Sequence, residues 1–221
     1  ENVIPEKYDI ELAIDMKNWV FNGKEIIDAY VKKPTKEILL NSNELEIQNT
    51  EVETKSESLK ATVAYDRKKE RISIKTGKKV NGKCKISIEF KGIIKDSLNG
   101  LYRSAYYLNG EKKYIVTTQF EAPDARRAFP CFDEPEFKAV FQIALLIDKS
   151  LEAISNMPIK EIREEGEKKR VVFEPTPKMS TYLVYIGVGD FDYVEGRLRD
   201  LKIRVATVKG KKEMARIPLQ Y

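Results

Sequence analysis

Residues 6–16 read EKYDIELAIDM, with Tyr8, Ile10, Leu12, Ile14 and Met16 at every second position. Alternation at period two marks a strand with one face against a core. The pattern recurs along the chain. LKATVAYD aligns Leu59, Ala61, Val63 and Tyr65, RISIK aligns Ile72 and Ile74, and KCKISIEF aligns Cys84, Ile86, Ile88 and Phe90. FKAVFQIALLI aligns Phe137, Ala139, Phe141, Ile143, Leu145 and Ile147. EILLN reads as a short buried strand, and YIVTTQF, KRVVFEP, STYLVYIGVGDF and LKIRVATV read as further strands. NWVFNGKEIIDAYV carries Trp19 and Phe21 into another, with Asn22-Gly23 as a turn or bulge signal. No window sustains a period of 3.6. The pattern predicts an all-β chain, either two packed antiparallel sheets or one large curved sheet with a smaller one.

Within this framework EIREEGEKKR is a charge run that reads as a solvated hairpin tip. The segment 209–221, KGKKEMARIPLQY, breaks the strand pattern and reads as a tail or as the truncated start of a further unit. The organisation expected is therefore one β-domain over 1–208 and a tail over 209–221.

Composition narrows the function classes. Of 221 residues, 42% are apolar and 34% charged, a globular balance with a sizeable core and a charged surface. The net charge of +5 comes from 40 basic and 35 acidic residues with no basic block, which argues against a nucleic-acid partner. The aromatics lie in the apolar register of strands rather than interleaved with Lys and Arg on one face, which argues the same way. No run of about 18 apolar residues offers a membrane span. ENVIPEKYDI lacks the basic-then-apolar layout of a signal peptide. Cys84 and Cys131 are too few for a disulfide framework and read as buried thiols of a cytoplasmic protein. The chain has no histidine, which removes the commonest metal ligand and general base.

One stretch departs from the alternation: TQFEAPDARRAFPCFDEPEF, residues 118–137. It joins two strands by a long connection, and long ordered connections in compact domains are often functional. Pro123, Pro130 and Pro135 restrict its backbone. Phe129, Phe132 and Phe137 are candidates to anchor it. Asp124, Arg126, Arg127, Asp133 and Glu134 have the chemistry for bidentate ion pairs that would stiffen it, a structural role. Gln119 and Glu121 stand two apart at a strand end and so share a side. A fixed carboxylate beside an amide suits a ligand ammonium, worth about 1.5–3 kcal/mol as a charge-assisted hydrogen bond. On physics alone, however, Glu121 is read first as a structural ion-pair partner.

The same stretch resembles the N-terminal domain of the gluzincin-type zinc aminopeptidases, a family that includes aminopeptidase N, the puromycin-sensitive enzyme and the tricorn-interacting factors. GLYRSAYY (100–107), AISNMP (153–158) and PKMSTYLVYIGVGDFDYVE (177–195) match it in the same order, so the resemblance spans roughly residues 5–208. It implies a saddle-shaped antiparallel β-sandwich that packs on a thermolysin-like catalytic domain. It implies that Glu121 binds the free α-amino group of a peptide and that Gln119 lines the pocket for the first side chain. An enzyme that removes one terminal residue must measure from ammonium to scissile carbonyl, and a rigid carboxylate supplies that ruler. The resemblance also implies a cis Glu121–Ala122 peptide bond.

The family's zinc motif, H-E-x-x-H, and its exopeptidase motif, G-A-M-E-N, are absent from this chain. In such enzymes zinc activates water and polarises the carbonyl. The expectation is a substrate-anchoring domain with no catalytic residue, no metal ligand and no activity alone, with zinc in the full-length enzyme. Its partners would be peptide N-termini and the absent catalytic domain, with neither nucleic acid nor membrane. The face left open by that domain is expected to self-associate. The alternative is a stand-alone β-sandwich module for binding or assembly.

Overall fold

A computed structural model describes residues 2–220 of the chain, with side chains through Arg216. Its strands are β1 (Val3–Asp15), β2 (Val20–Asn41), β3 (Glu46–Thr54), β4 (Ser58–Asp66), β5 (Arg71–Ile93), β6 (Gly100–Leu108) and β7 (Glu111–Gln119). They continue as β8 (Val140–Asp148), β9 (Glu152–Ser155), β10 (Ile159–Glu165), β11 (Lys168–Phe173), β12 (Ile186–Gly189), β13 (Phe191–Leu198) and β14 (Leu201–Val208). Short 3-10 turns cover Ala125–Arg127, Thr181–Leu183 and Lys212–Gln220. The expected all-β class holds.

An eight-stranded sheet runs β10-β11-β8-β1-β2-β5-β3-β4, a four-stranded sheet runs β6-β7-β12-β9, and β13 and β14 form a separate ribbon. One cluster of buried side chains joins the inner faces of the two larger sheets. Tyr8, Ile10, Leu12, Phe141, Ile143 and Leu145 come from the larger sheet, and Leu101, Val116, Ile186 and Val188 from the smaller. The alternating positions read from the sequence supply most of this core. The eight-stranded sheet is not wholly antiparallel: β1 and β8 pair in parallel from Lys7↔Val140 to Ala13↔Leu146. Strands so far apart in sequence need not meet through a hairpin, and a crossover puts them side by side in the same direction.

Several local expectations are corrected. Asn22-Gly23 makes no turn; both residues lie inside β2, where Asn22 faces Ala13 and Gly23 faces Leu12. The turn comes earlier, at 16–19. There the Asp15 carboxylate accepts hydrogen bonds from the backbone N–H groups of Lys17 and Asn18 at 2.9 and 3.0 Å, and Trp19 takes φ 55°. Gly23 is required for space instead, since a β-carbon there would lie 2.2 Å from the Phe90 ring. EILLN is the end of the 22-residue β2 rather than a separate strand. RISIK and KCKISIEF are the two ends of the 23-residue β5. STYLVYIGVGDF is not one strand, for the 3-10 turn at Thr181–Leu183 precedes β12 and the chain enters β13 at Phe191. EIREEGEKKR does form the tip of a hairpin, between β10 and β11, with Gly166 at φ 60°.

Candidate functional site

The connection between β7 and β8 is built from its aromatic residues upward. Phe129, Phe132 and Phe137 are buried as expected, and Phe120, which the sequence reading passed over, is buried with them. Phe120 meets Phe129 edge-on at 5.9 Å, and Phe129 meets Tyr8 edge-on at 6.2 Å. The connection thus sits on the core between the sheets. Backbone contacts fix its far end: Asn41 and Cys131 exchange both N–H···O bonds at 2.7 and 2.9 Å, and the Phe132 N–H donates to the Tyr8 hydroxyl at 3.1 Å.

A second layer consists of charges. Arg126 Nε donates to Asp133 Oδ2 at 2.9 Å, and Arg126 also reaches Glu70 Oε2 at 3.2 Å. Arg127 Nε donates to Asp124 Oδ1 at 2.6 Å, and its Nη1 reaches Glu44 Oε2 at 2.9 Å. The Asp133 side chain is fully buried, and its other oxygen accepts from the Thr181 hydroxyl at 2.7 Å. Burial disfavours the charged form of Glu44, but Lys95 and Arg127 outweigh it and hold that carboxyl below the usual range. The arginines therefore stiffen the connection, the structural role expected of them. Their partners include Glu44 and Glu70, distant residues that local spacing did not point to. Glu134 meets Arg71 at 3.6 Å rather than a residue of its own segment.

Gln119 and Glu121 occupy the near end. Gln119 closes β7 opposite Gly100, and a β-carbon on Gly100 would lie 2.8 Å from Arg127 Cβ. With Phe120 turned into the core, Gln119 and Glu121 flank it and are both exposed. Gln119 Nε2 donates to the Glu121 backbone carbonyl at 3.4 Å. The Glu121–Ala122 bond is cis, as the resemblance implied. Asp124, Asp133 and Glu134 each meet an arginine, whereas Glu121 meets no basic side chain among the described residues. The structural ion pair that physics alone suggested for Glu121 is thus not formed among the described residues.

The sequence reading also missed Glu25. It lies in the inward register of β2 between Gly23 and Ile27, is 2% exposed, and neither carboxyl oxygen has a hydrogen-bond partner among the described residues. Its period-two spacing with Phe21 and Ile27 was the available signal.

Residues 4–183 match the model of the peptidase M1 N-terminal domain. The chain belongs to that family. It is 42% identical to "Probable aminopeptidase 2" of Sulfurisphaera tokodaii over 93% of this chain and 24% of the relative. It is 40% identical to "Aminopeptidase M1-A" of Oryza sativa subsp. japonica over 98% of this chain and 25% of the relative. It is 38% identical to "Aminopeptidase 2" of Candida albicans over 96% of this chain and 23% of the relative. The chain spans about a quarter of the length of these curated relatives.

The residues present do not fit a zinc ion. The sequence has no histidine, and among the described residues no group of three or more Cys, Asp and Glu side chains could hold a metal. No described helix is long and apolar enough to cross a membrane.

Proposed function

We propose that this M1 N-terminal domain captures the free α-ammonium of a peptide on Glu121, beside Gln119, for an aminopeptidase whose zinc and hydrolytic residues lie outside this chain. The observation that carries the reading is the contrast within one connection. Glu121 is exposed and without a cationic partner among the described residues, while Asp124 and Asp133 are held by Arg127 and Arg126. The stiff remainder of the connection supports Glu121 as a fixed end-stop, from which the distance to the scissile carbonyl is set. Gln119, hydrogen-bonded to the Glu121 backbone, is assigned to the wall beside the first side chain. Peptide N-termini are the proposed ligands and the catalytic domain the proposed partner. The free, buried thiols of Cys84 and Cys131 support a cytoplasmic setting.

The test compares the 221-residue chain with the chain extended through its own reading frame. Only the extended protein should hydrolyse aminoacyl amides, and acetylating the substrate amine should abolish turnover. Hydrolysis by the 221-residue chain alone would overturn the reading. Without a partner domain, Leu183 and Tyr185 remain exposed at the approach to β12, and we expect the isolated chain to self-associate there. Light scattering at high concentration should report a mass above that of the monomer.

A further inference from the structure

We propose that Glu25 is a positioning residue for the connection that carries Glu121, and that it acts only while its carboxyl holds a proton. Glu25 lies opposite Ile10 of β1 and Ile88 of β5, both buried, so its side chain enters the core that the connection covers. Its two oxygens are buried and unpartnered among the described residues. The titratable groups that face it give its charge no help. From β1 the group is the Tyr8 hydroxyl, which accepts the Phe132 N–H of the connection. From the connection it is the Cys131 thiol, which also neighbours Asp133, a carboxylate already committed to Arg126 and Thr181. From β5 the neighbour is Ile88, and the adjacent Glu89 pairs outward with Lys24. On β1, Lys7 pairs with Asp9 and Glu11 with Arg170, away from the core.

A bare carboxylate in such a place is costly, so the group neutralises instead. Burial holds the Glu25 carboxyl well above the usual carboxylate range. It is also close enough to Tyr8 and Cys131 that its charge would push both groups up further. Ionised Glu25 would add negative charge near Tyr8 and Cys131. Relief comes by admitting water, which means lifting the connection from Tyr8.

The sign follows from linkage. The folded chain keeps a proton that the unfolded chain releases above about pH 4.3. The stabilisation is present below that pH. It is lost as pH rises toward the folded-state value, by tenfold in the folding constant per pH unit from this group. The link to peptide capture rests on the reading of Glu121 given above; the proton linkage does not.

The experiment follows the carboxyl carbon of Glu25 by NMR titration of the 221-residue chain. Urea unfolding and amide exchange across 120–133, corrected for intrinsic rates, are measured from pH 5 to 9 in the native chain and in Glu25→Gln. We expect a Glu25 midpoint well above about 4.3, native protection across 120–133 that falls as pH rises, and a Glu25→Gln chain that loses both dependences. A midpoint at the ordinary value overturns the proposal, and this reading needs no variant to fold. A high midpoint with pH-independent exchange across 120–133 overturns the positioning role. Failure of the Glu121 reading would show instead as unchanged turnover in Glu121→Gln with the Glu25 linkage intact.

Discussion

Glu121 and Asp133 are carboxylates of the same connection in opposite surroundings. Asp133 is buried and accepts from Arg126 and Thr181, whereas Glu121 is exposed and meets no cation among the described residues. One end of the connection spends its charge on holding the chain; the other keeps its charge available. A rigid carboxylate for an outside ammonium needs both halves, because an isolated exposed carboxylate on a mobile loop offers little. A gradient of engagement runs between them, from Asp133 through Arg127 and Glu134 to Glu121.

The largest expected effect is at Asp133. Asp133→Ala leaves the Arg126 guanidinium, 13% exposed, without its closest partner and strips Thr181 of its acceptor. Breaking a buried pair in this way costs about 3–5 kcal/mol, read as a lower urea midpoint at constant slope. A loss below about 1 kcal/mol would show that the Asp133 end holds nothing and would erase the comparison. Arg127→Ala should cost less, about 1 kcal/mol, since the side chain is 23% exposed and solvent screens its pairs with Asp124 and Glu44. Glu134→Ala should cost under about 1 kcal/mol, because its 3.6 Å contact with Arg71 lies at the surface. Unfolding midpoints in the reverse order would break the gradient.

How much of this was legible in the sequence differs by region. The inward residues of β1 and β8 could be read directly, because strict alternation such as Tyr8-Ile10-Leu12 leaves one register. Asn22-Gly23 misled, since the sequence cannot tell a glycine that turns the chain from one that makes room for Phe90 across the sheet. Gln119 and Glu121 were named from their spacing and the family resemblance, and the exposed pair flanking buried Phe120 agrees with that spacing. The partners of Arg126 and Arg127 were only partly legible. Asp124 and Asp133 are local, but Glu44 and Glu70 arrive from the links between β2 and β3 and between β4 and β5. Glu25 was passed over because neighbouring charges in GKEIID hide its register.

In the reading proposed above, Glu121 serves a ligand rather than the fold. The most direct test makes Glu121→Gln in the extended enzyme and measures unfolding and kcat/KM for an aminoacyl amide on the same preparation. Stability should stay within about 0.5 kcal/mol of the native protein. The value of kcat/KM should fall about 10- to 140-fold, matching about 1.5–3 kcal/mol for a charge-assisted hydrogen bond. Lost stability with kcat/KM unchanged would contradict it.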